Sequence, residues 1–123
     1  MNILIVDDSR TMRLIILRSL RQAGFSGFDH REASNGLEAL SVLREYPADL
    51  VLSDWNMPDR TGIELLEEIR RRGNPVPFGF ITSNNVPEMR GQATEGGAAF
   101  FLIKPFTVEQ FGAAVGPFIK KAI

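Results

Sequence analysis

Residues 2–9 read Asn-Ile-Leu-Ile-Val-Asp-Asp-Ser, an unbroken β-favouring run from Ile3 to Val6 that stops at two adjacent aspartates. A half-exposed strand alternates apolar and polar residues, so a continuous run marks a strand covered on both faces. Similar runs recur at Ala48–Leu52, Val76–Ile81 and Ala98–Ile103, with a weaker fifth at Phe28–Ala33. Between them lie segments of helical spacing: Arg10–Ala23, Gly36–Glu45, Gly62–Arg72, about Glu88–Glu95, and Val108–Lys121. Turn residues punctuate the joints at Gly24, Asn35-Gly36, Pro47, Gly73-Asn74-Pro75 and Gly96-Gly97. Five strand–helix alternations with buried strands predict an α/β domain, a doubly wound (βα)5 parallel sheet with helices on both faces and strand order 2-1-3-4-5.

The 123 residues, 44% of them apolar, accommodate one such domain spanning 1–123, with no room for an output domain. Absence of cysteine removes disulfides, thiolate metal sites and a cysteine nucleophile, and the single histidine leaves no zinc set. Fourteen Lys+Arg against fifteen Asp+Glu give a net charge of -1, with no bulk attraction to nucleic acid or an anionic membrane. The longest apolar run is six residues, far below the roughly 20 that span a bilayer, and Asp7-Asp8 interrupts any signal-type stretch. The expected location is the cytoplasm.

In an open α/β sheet, ligands bind beyond the carboxyl ends of the strands. Those ends carry Asp7-Asp8-Ser9, then Ser53-Asp54-Trp55-Asn56-Met57-Pro58, then Thr82-Ser83-Asn84, and finally Lys104-Pro105. Each group taken alone has a structural explanation: Asp8 or Ser9 caps a helix, and Thr or Lys at a strand end is ordinarily packing. Four independent strand ends supplying complementary groups favour a site. Unit charges about 4 Å apart repel by about 4 kcal/mol at an effective dielectric near 20, so three clustered aspartates call for a cation. An all-oxygen ligand set suits Mg²⁺, or Mn²⁺, better than a softer metal. Lys104 and Thr82 then supply the charge and the donor that neutralise a phosphoryl group in transfer, with a carboxylate as attacking nucleophile. Asp59 reads as a solvated turn residue, and His30 as an exposed or edge-strand residue rather than a phosphate carrier.

Taken together, Asp7-Asp8, Asp54-Trp55-Asn56-Met57-Pro58 with Gly62 beyond, Thr82, and Lys104-Pro105-Phe106 resemble the receiver domain of two-component signalling, the response-regulator family. The resemblance runs from first strand to last helix. It implies a flavodoxin-like fold and a phospho-accepting relay, in which Asp54 takes a phosphoryl group from a phosphohistidine on a histidine kinase or histidine phosphotransfer protein. It further implies Mg²⁺ held by Asp8 and Asp54, with Asp7 acting through a water and Asn56 through its backbone carbonyl. Lys104 would contact the phosphoryl group, and the Lys104-Pro105 peptide would be cis. The Thr82 hydroxyl and Phe101 would form the switch that governs binding of a downstream protein, either a chemotaxis- or motor-type effector or a further relay member. Such a chain catalyses only its own phosphorylation and dephosphorylation and is otherwise no enzyme. It would be monomeric, with a dimer possible on phosphorylation. Asn56 and Asn84, two residues beyond Asp54 and Thr82, flank the path of attacking water in the family.

Arg10, Arg13, Arg18 and Arg21 give the first helix four positive charges and no acid. A solvated face is the default for such a run, yet Met12, Leu14, Ile15, Ile16 and Leu17 exceed what one stripe against a sheet needs. In receiver domains the corresponding helix docks the phosphohistidine donor, so Met12, Arg13, Ile15 and Arg18 are the expected partner contacts. Pro117, with Gly112 and Gly116, predicts a kink or early stop in the last helix. Two alternatives remain open: a Mg²⁺-dependent phosphohydrolase with Asp54 as nucleophile, and a flavodoxin-like binding module that is never phosphorylated. The first lacks an acid two residues after the nucleophile, where Asn56 stands. The second would place two carboxylates where a ligand phosphate should sit.

Overall fold

The computed structural model describes residues 1–58, 60–83 and 86–119. Its elements in chain order are β1 (Asn2–Val6), α1 (Arg10–Gln22), β2 (Asp29–Ala33), α2 (Gly36–Glu45), β3 (Leu50–Ser53), α3 (Gly62–Arg71), β4 (Phe78–Thr82), α4 (Pro87–Glu95), β5 (Phe100–Ile103) and α5 (Val108–Val115). All four strand pairings are parallel, and the order is β2-β1-β3-β4-β5. The expected doubly wound architecture is therefore the observed one.

The two-sided burial inferred for the first strand is seen residue by residue. Ile3 and Ile5 point into a core closed by Ile16 and Leu20 of α1 and by Phe111 and Val115 of α5. Leu4 and Val6 point the other way, into a core closed by Leu40 of α2, Leu65, Leu66 and Ile69 of α3, and Ala93 of α4. Because the strand alternates between two cores, an apolar side chain stands at each position from Ile3 to Val6.

Except for β1, the strands begin one or two residues later than the apolar runs do. Pro77 lies outside β4 because it has no N–H to give the ladder, although its carbonyl still accepts from Val51 N–H at 2.9 Å. Asp49, before β3, uses its N–H on the Asn2 carbonyl and its carboxylate on the Asn2 N–H, both at 2.7 Å. The last helix stops at Val115 and tightens into a 3₁₀ turn over Gly116–Phe118, with Pro117 inside it. The early stop expected from that proline is thus present, while Lys120 and Lys121 lie outside the described residues, as do Asp59 and Asn84.

Helix starts are set by side chains that satisfy otherwise orphaned N–H groups. Ser9 caps α1 and Asn35 caps α2, while Thr61 with Glu64 and Thr107 with Gln110 form reciprocal capping boxes on α3 and α5. The first turn of α4 has Pro87 but no side-chain cap.

Helix α3 is fastened at both ends. At its start the Gly62 N–H donates to the Trp55 carbonyl at 2.7 Å. A Cβ on Gly62 would fall on the Asp54 carbonyl oxygen, 2.7 Å from the Phe80 ring and 3.0 Å from the Trp55 Cα. Neither backbone can withdraw without moving the other. Gly62→Ala should therefore cost about 3 kcal/mol, the upper end of ordinary overpacking, seen as a lower urea midpoint at unchanged m-value. An unshifted midpoint would show that the loop is slack. At the other end Arg70 donates to the carbonyls of Asn74 (2.9 Å), Val76 (2.8 Å) and Gly97 (3.1 Å), joining α3 to the chain entering β4 and β5.

Candidate functional site

Parallel strands in register deliver their carboxyl ends to one edge of the sheet. Val6 pairs with Ser53 and Thr82 with Ile103, so the residues that follow β1, β3 and β5, together with the end of β4, meet there. Asp7, Asp8 and Asp54 each offer a carboxylate oxygen, all within 4.8 Å of one another. Lys104 Nζ reaches between them, 3.0 Å from Asp7 Oδ2 and 3.6 Å from Asp54 Oδ2. Thr82 is fully buried at the end of β4, its side chain near enough to the Asp54 carboxyl to favour the ionised form. The Lys104-Pro105 peptide is cis. Of the expected pocket residues, Asp7, Asp8, Asp54, Thr82 and Lys104 are brought together, and Asn56 is exposed in the turn after Asp54.

The two inner aspartates are held differently. Asp7 is wholly buried and every acceptor it has is engaged: Oδ1 takes the Ser9 N–H at 2.9 Å, Oδ2 takes Lys104, and its carbonyl takes Arg13 Nη1 at 2.6 Å. Asp54 has Oδ1 on the Trp55 N–H at 2.7 Å. Burial pushes the Asp54 carboxyl above the ordinary carboxylate range. The Lys104 charge opposes that shift, the Asp7 charge adds to it, and the Trp55 N–H and Thr82 bonds oppose it again. A carboxylate in this state gains from any further positive charge delivered beside it.

Phe101 lies half-buried on β5, its ring centroid 6.3 Å from Trp55 and 6.0 Å from Phe80. The Arg90 guanidinium of α4 stacks on its outer face at 5.0 Å. Sequence patterns did not disclose Arg90, because its partner belongs to another element.

Along α1, Leu14 and Ile15 are 50% and 40% exposed, and Met12 is half-buried. Met12, Ile15 and Arg18 line one wall of an open groove of about 570 Å³, and Lys104, Pro105 and Phe106 line the other. Arg13 does not join this face: it turns inward to Asp7 and to Glu32 Oε1 at 2.9 Å, its side chain only 15% exposed. His30, on edge strand β2, has Nε2 3.8 Å from Glu32 and is remote from the aspartates in the sheet register.

The model of the response regulator receiver domain family matches residues 3–116. The chain belongs to that family. This receiver domain is 41% identical over 109 residues to chemotaxis protein CheY-3 of Vibrio cholerae serotype O1, covering 87% of this chain and 82% of the relative. It is 39% identical over 111 residues to chemotaxis protein CheY of Pseudomonas aeruginosa, covering 89% and 88%. Among solved structures it is similar to chemotaxis response regulator CheY4 of Vibrio cholerae, with a TM-score of 0.83 at 29% identity over 96% of this chain and 98% of that one. Receiver domains are signalling proteins. Among the described residues no helix is long and apolar enough to cross a membrane.

Proposed function

We propose that this receiver domain is a cytoplasmic phospho-accepting relay that takes a phosphoryl group from a phosphohistidine onto the carboxylate of Asp54. The observation that carries this assignment is Lys104 bridging two carboxylates of a three-aspartate cluster, with Thr82 buried at the end of neighbouring β4. In the transfer, the P–N bond of the phosphohistidine breaks, its electron pair stays on the imidazole nitrogen, and an O–P bond forms at Asp54. Lys104 and Thr82 are already within reach of Asp54, so both can meet phosphoryl oxygens without rebuilding the pocket.

The oxygen-only donor set, with no histidine or cysteine in the cluster, fits Mg²⁺ or Mn²⁺. Asp8 and Asp54 would hold the ion, the wholly buried Asp7 would act through water, and Asn56 would contribute its carbonyl. When bound, the ion supplies positive charge against the carboxylates and the phosphoryl oxygens. The direct test is incubation with MgCl₂ and a small phosphodonor, followed by mass spectrometry. One phosphoryl group on Asp54 is expected, and its absence with donor and metal in excess would remove the proposal.

Exposed Ile15 and Arg18, with Met12 behind them, form an apolar, positively rimmed wall beside Lys104, suited to an acidic-rimmed helical donor such as a histidine kinase or phosphotransfer domain. Arg18→Glu should slow transfer from a histidine-phosphorylated donor protein about ten-fold, as rim charges set encounter rates, and leave labelling by a small phosphodonor unchanged. Equal loss of both would overturn this docking surface. Output then passes through the Thr82–Phe101 face to a protein effector, and the chemotaxis relatives favour an effector of that kind.

A further inference from the structure

Arg13 contradicts the surface role its position in an arginine-rich helix suggests. Its side chain is mostly buried, it donates to a main-chain carbonyl at 2.6 Å, and it is anchored by Glu32 at 2.9 Å. The carbonyl belongs to Asp7, so Arg13 grips the peptide that joins the two acidic residues of the pocket. The other side of Asp7 is gripped as well, its N–H donating at 3.0 Å to the carbonyl of Ala33, the residue after Glu32. A closed circuit results: Glu32 holds Arg13, Arg13 holds the Asp7 carbonyl, and β2 holds the Asp7 N–H.

We propose that Arg13, held by Glu32, is a positioning residue that orients the Asp7–Asp8 peptide so that the exposed Asp8 carboxylate is presented to the cation beside Asp54. This rests on the phospho-acceptor assignment above. The physical need is clear: Mg²⁺ tolerates little deviation from octahedral geometry, and Asp8, unlike Asp7, has an exposed side chain whose direction depends on the peptide before it. Groups that orient metal ligands typically change metal affinity 10–100-fold when removed.

The sign of the effect separates this role from simple electrostatics. Removing a cation next to an acidic pocket should by Coulomb's law tighten Mg²⁺ binding. A weakening can therefore arise only through geometry. The experiment is calorimetric titration of MgCl₂ into the metal-free wild type, Arg13→Ala, Arg13→Lys, Glu32→Ala and the Arg13→Ala/Glu32→Ala pair, each checked for folding by circular dichroism. Expected are a weakening of five-fold or more in Arg13→Ala, recovery in Arg13→Lys because one N–H donor returns to the carbonyl, a smaller loss in Glu32→Ala, and a double variant no weaker than Arg13→Ala alone. The deficit in labelling by a small phosphodonor should close as MgCl₂ is raised. A smaller weakening, or tighter binding, in a folded Arg13→Ala would overturn the positioning role; should that variant not fold, Glu32→Ala at wild-type affinity would do so. A wild type that takes up no Mg²⁺ would overturn both this role and the phospho-acceptor assignment.

Discussion

Asp54→Asn takes up no phosphoryl group and, in EDTA at neutral pH, melts at a higher temperature than the parent chain. The first result follows from removing the proposed nucleophile, the carboxylate that Lys104 approaches at 3.6 Å. The second follows from the electrostatics of the same carboxyl. Its pKa in the fold is raised, chiefly by burial, so the ionised form present at neutral pH opposes folding. For a group of this kind the stability it contributes is complete below its unfolded pKa and is lost as pH rises through its folded pKa. The gap between variant and parent should therefore be widest near neutrality and close as pH falls through the folded pKa of Asp54. Lys104 is not orphaned by the change, because Asp7 remains 3.0 Å away. MgCl₂ should shrink the gap from the other side, stabilising the parent by mass action and the variant less. Melting curves between about pH 4 and 8, with EDTA or MgCl₂, read all of this; a variant that melts below its parent in EDTA at neutral pH would refute the electrostatic account.

Lys104→Met is expected to act in the opposite direction on stability and far more severely on rate than any surface change. Asp7 is completely buried, and Lys104 is the one cationic side chain seen in contact with its carboxylate among the described residues. Removing one partner of a fully buried pair costs about 3–5 kcal/mol; with Lys104 16% exposed and the Ser9 N–H still in place, about 2 kcal/mol is the appropriate scale in EDTA. Loss of a preorganised donor at the reacting group typically lowers rates about 10²–10³-fold, so labelling by a small phosphodonor should fall by that factor. Mg²⁺ should at the same time bind more tightly, because the competing ammonium is gone. A time course by mass spectrometry and a calorimetric titration separate the two effects. Labelling within three-fold of the parent would mean that Lys104 serves only to balance charge before the phosphoryl group arrives.

The fold was legible because the three central strands must each satisfy two cores. That demand writes itself as the uninterrupted runs around Leu4, Val51 and Phe80, and strand–helix alternation then restricts the sheet order. The five pocket residues were legible for a related reason, since register carries strand ends to a common edge whatever the side chains are. What escaped were contacts between elements far apart in sequence. Arg13 shares its helix with three other arginines, and only the position of Glu32 on β2 tells it apart. The stacking of Arg90 on Phe101 depends on how α4 lies across β5, and α4 has only Ala93 buried to signal its orientation. The start of β4 was misjudged for a local reason: Val76, between two prolines, is buried without joining the ladder.

The double fastening of α3 has a mechanical consequence. With Gly62 locked against the Asp54–Trp55 backbone and Arg70 tied to three carbonyls at the far end, α3 is held as a strut between the end of β3 and the chain entering β4 and β5. Helix α4 is a compliant neighbour, with no side-chain cap and a single buried residue. If Asp54 takes up a phosphoryl group as proposed, the expected route for the resulting displacement is sideways, across Phe101 into α4, so that the stiffness of one helix would choose which flank of the molecule a partner feels.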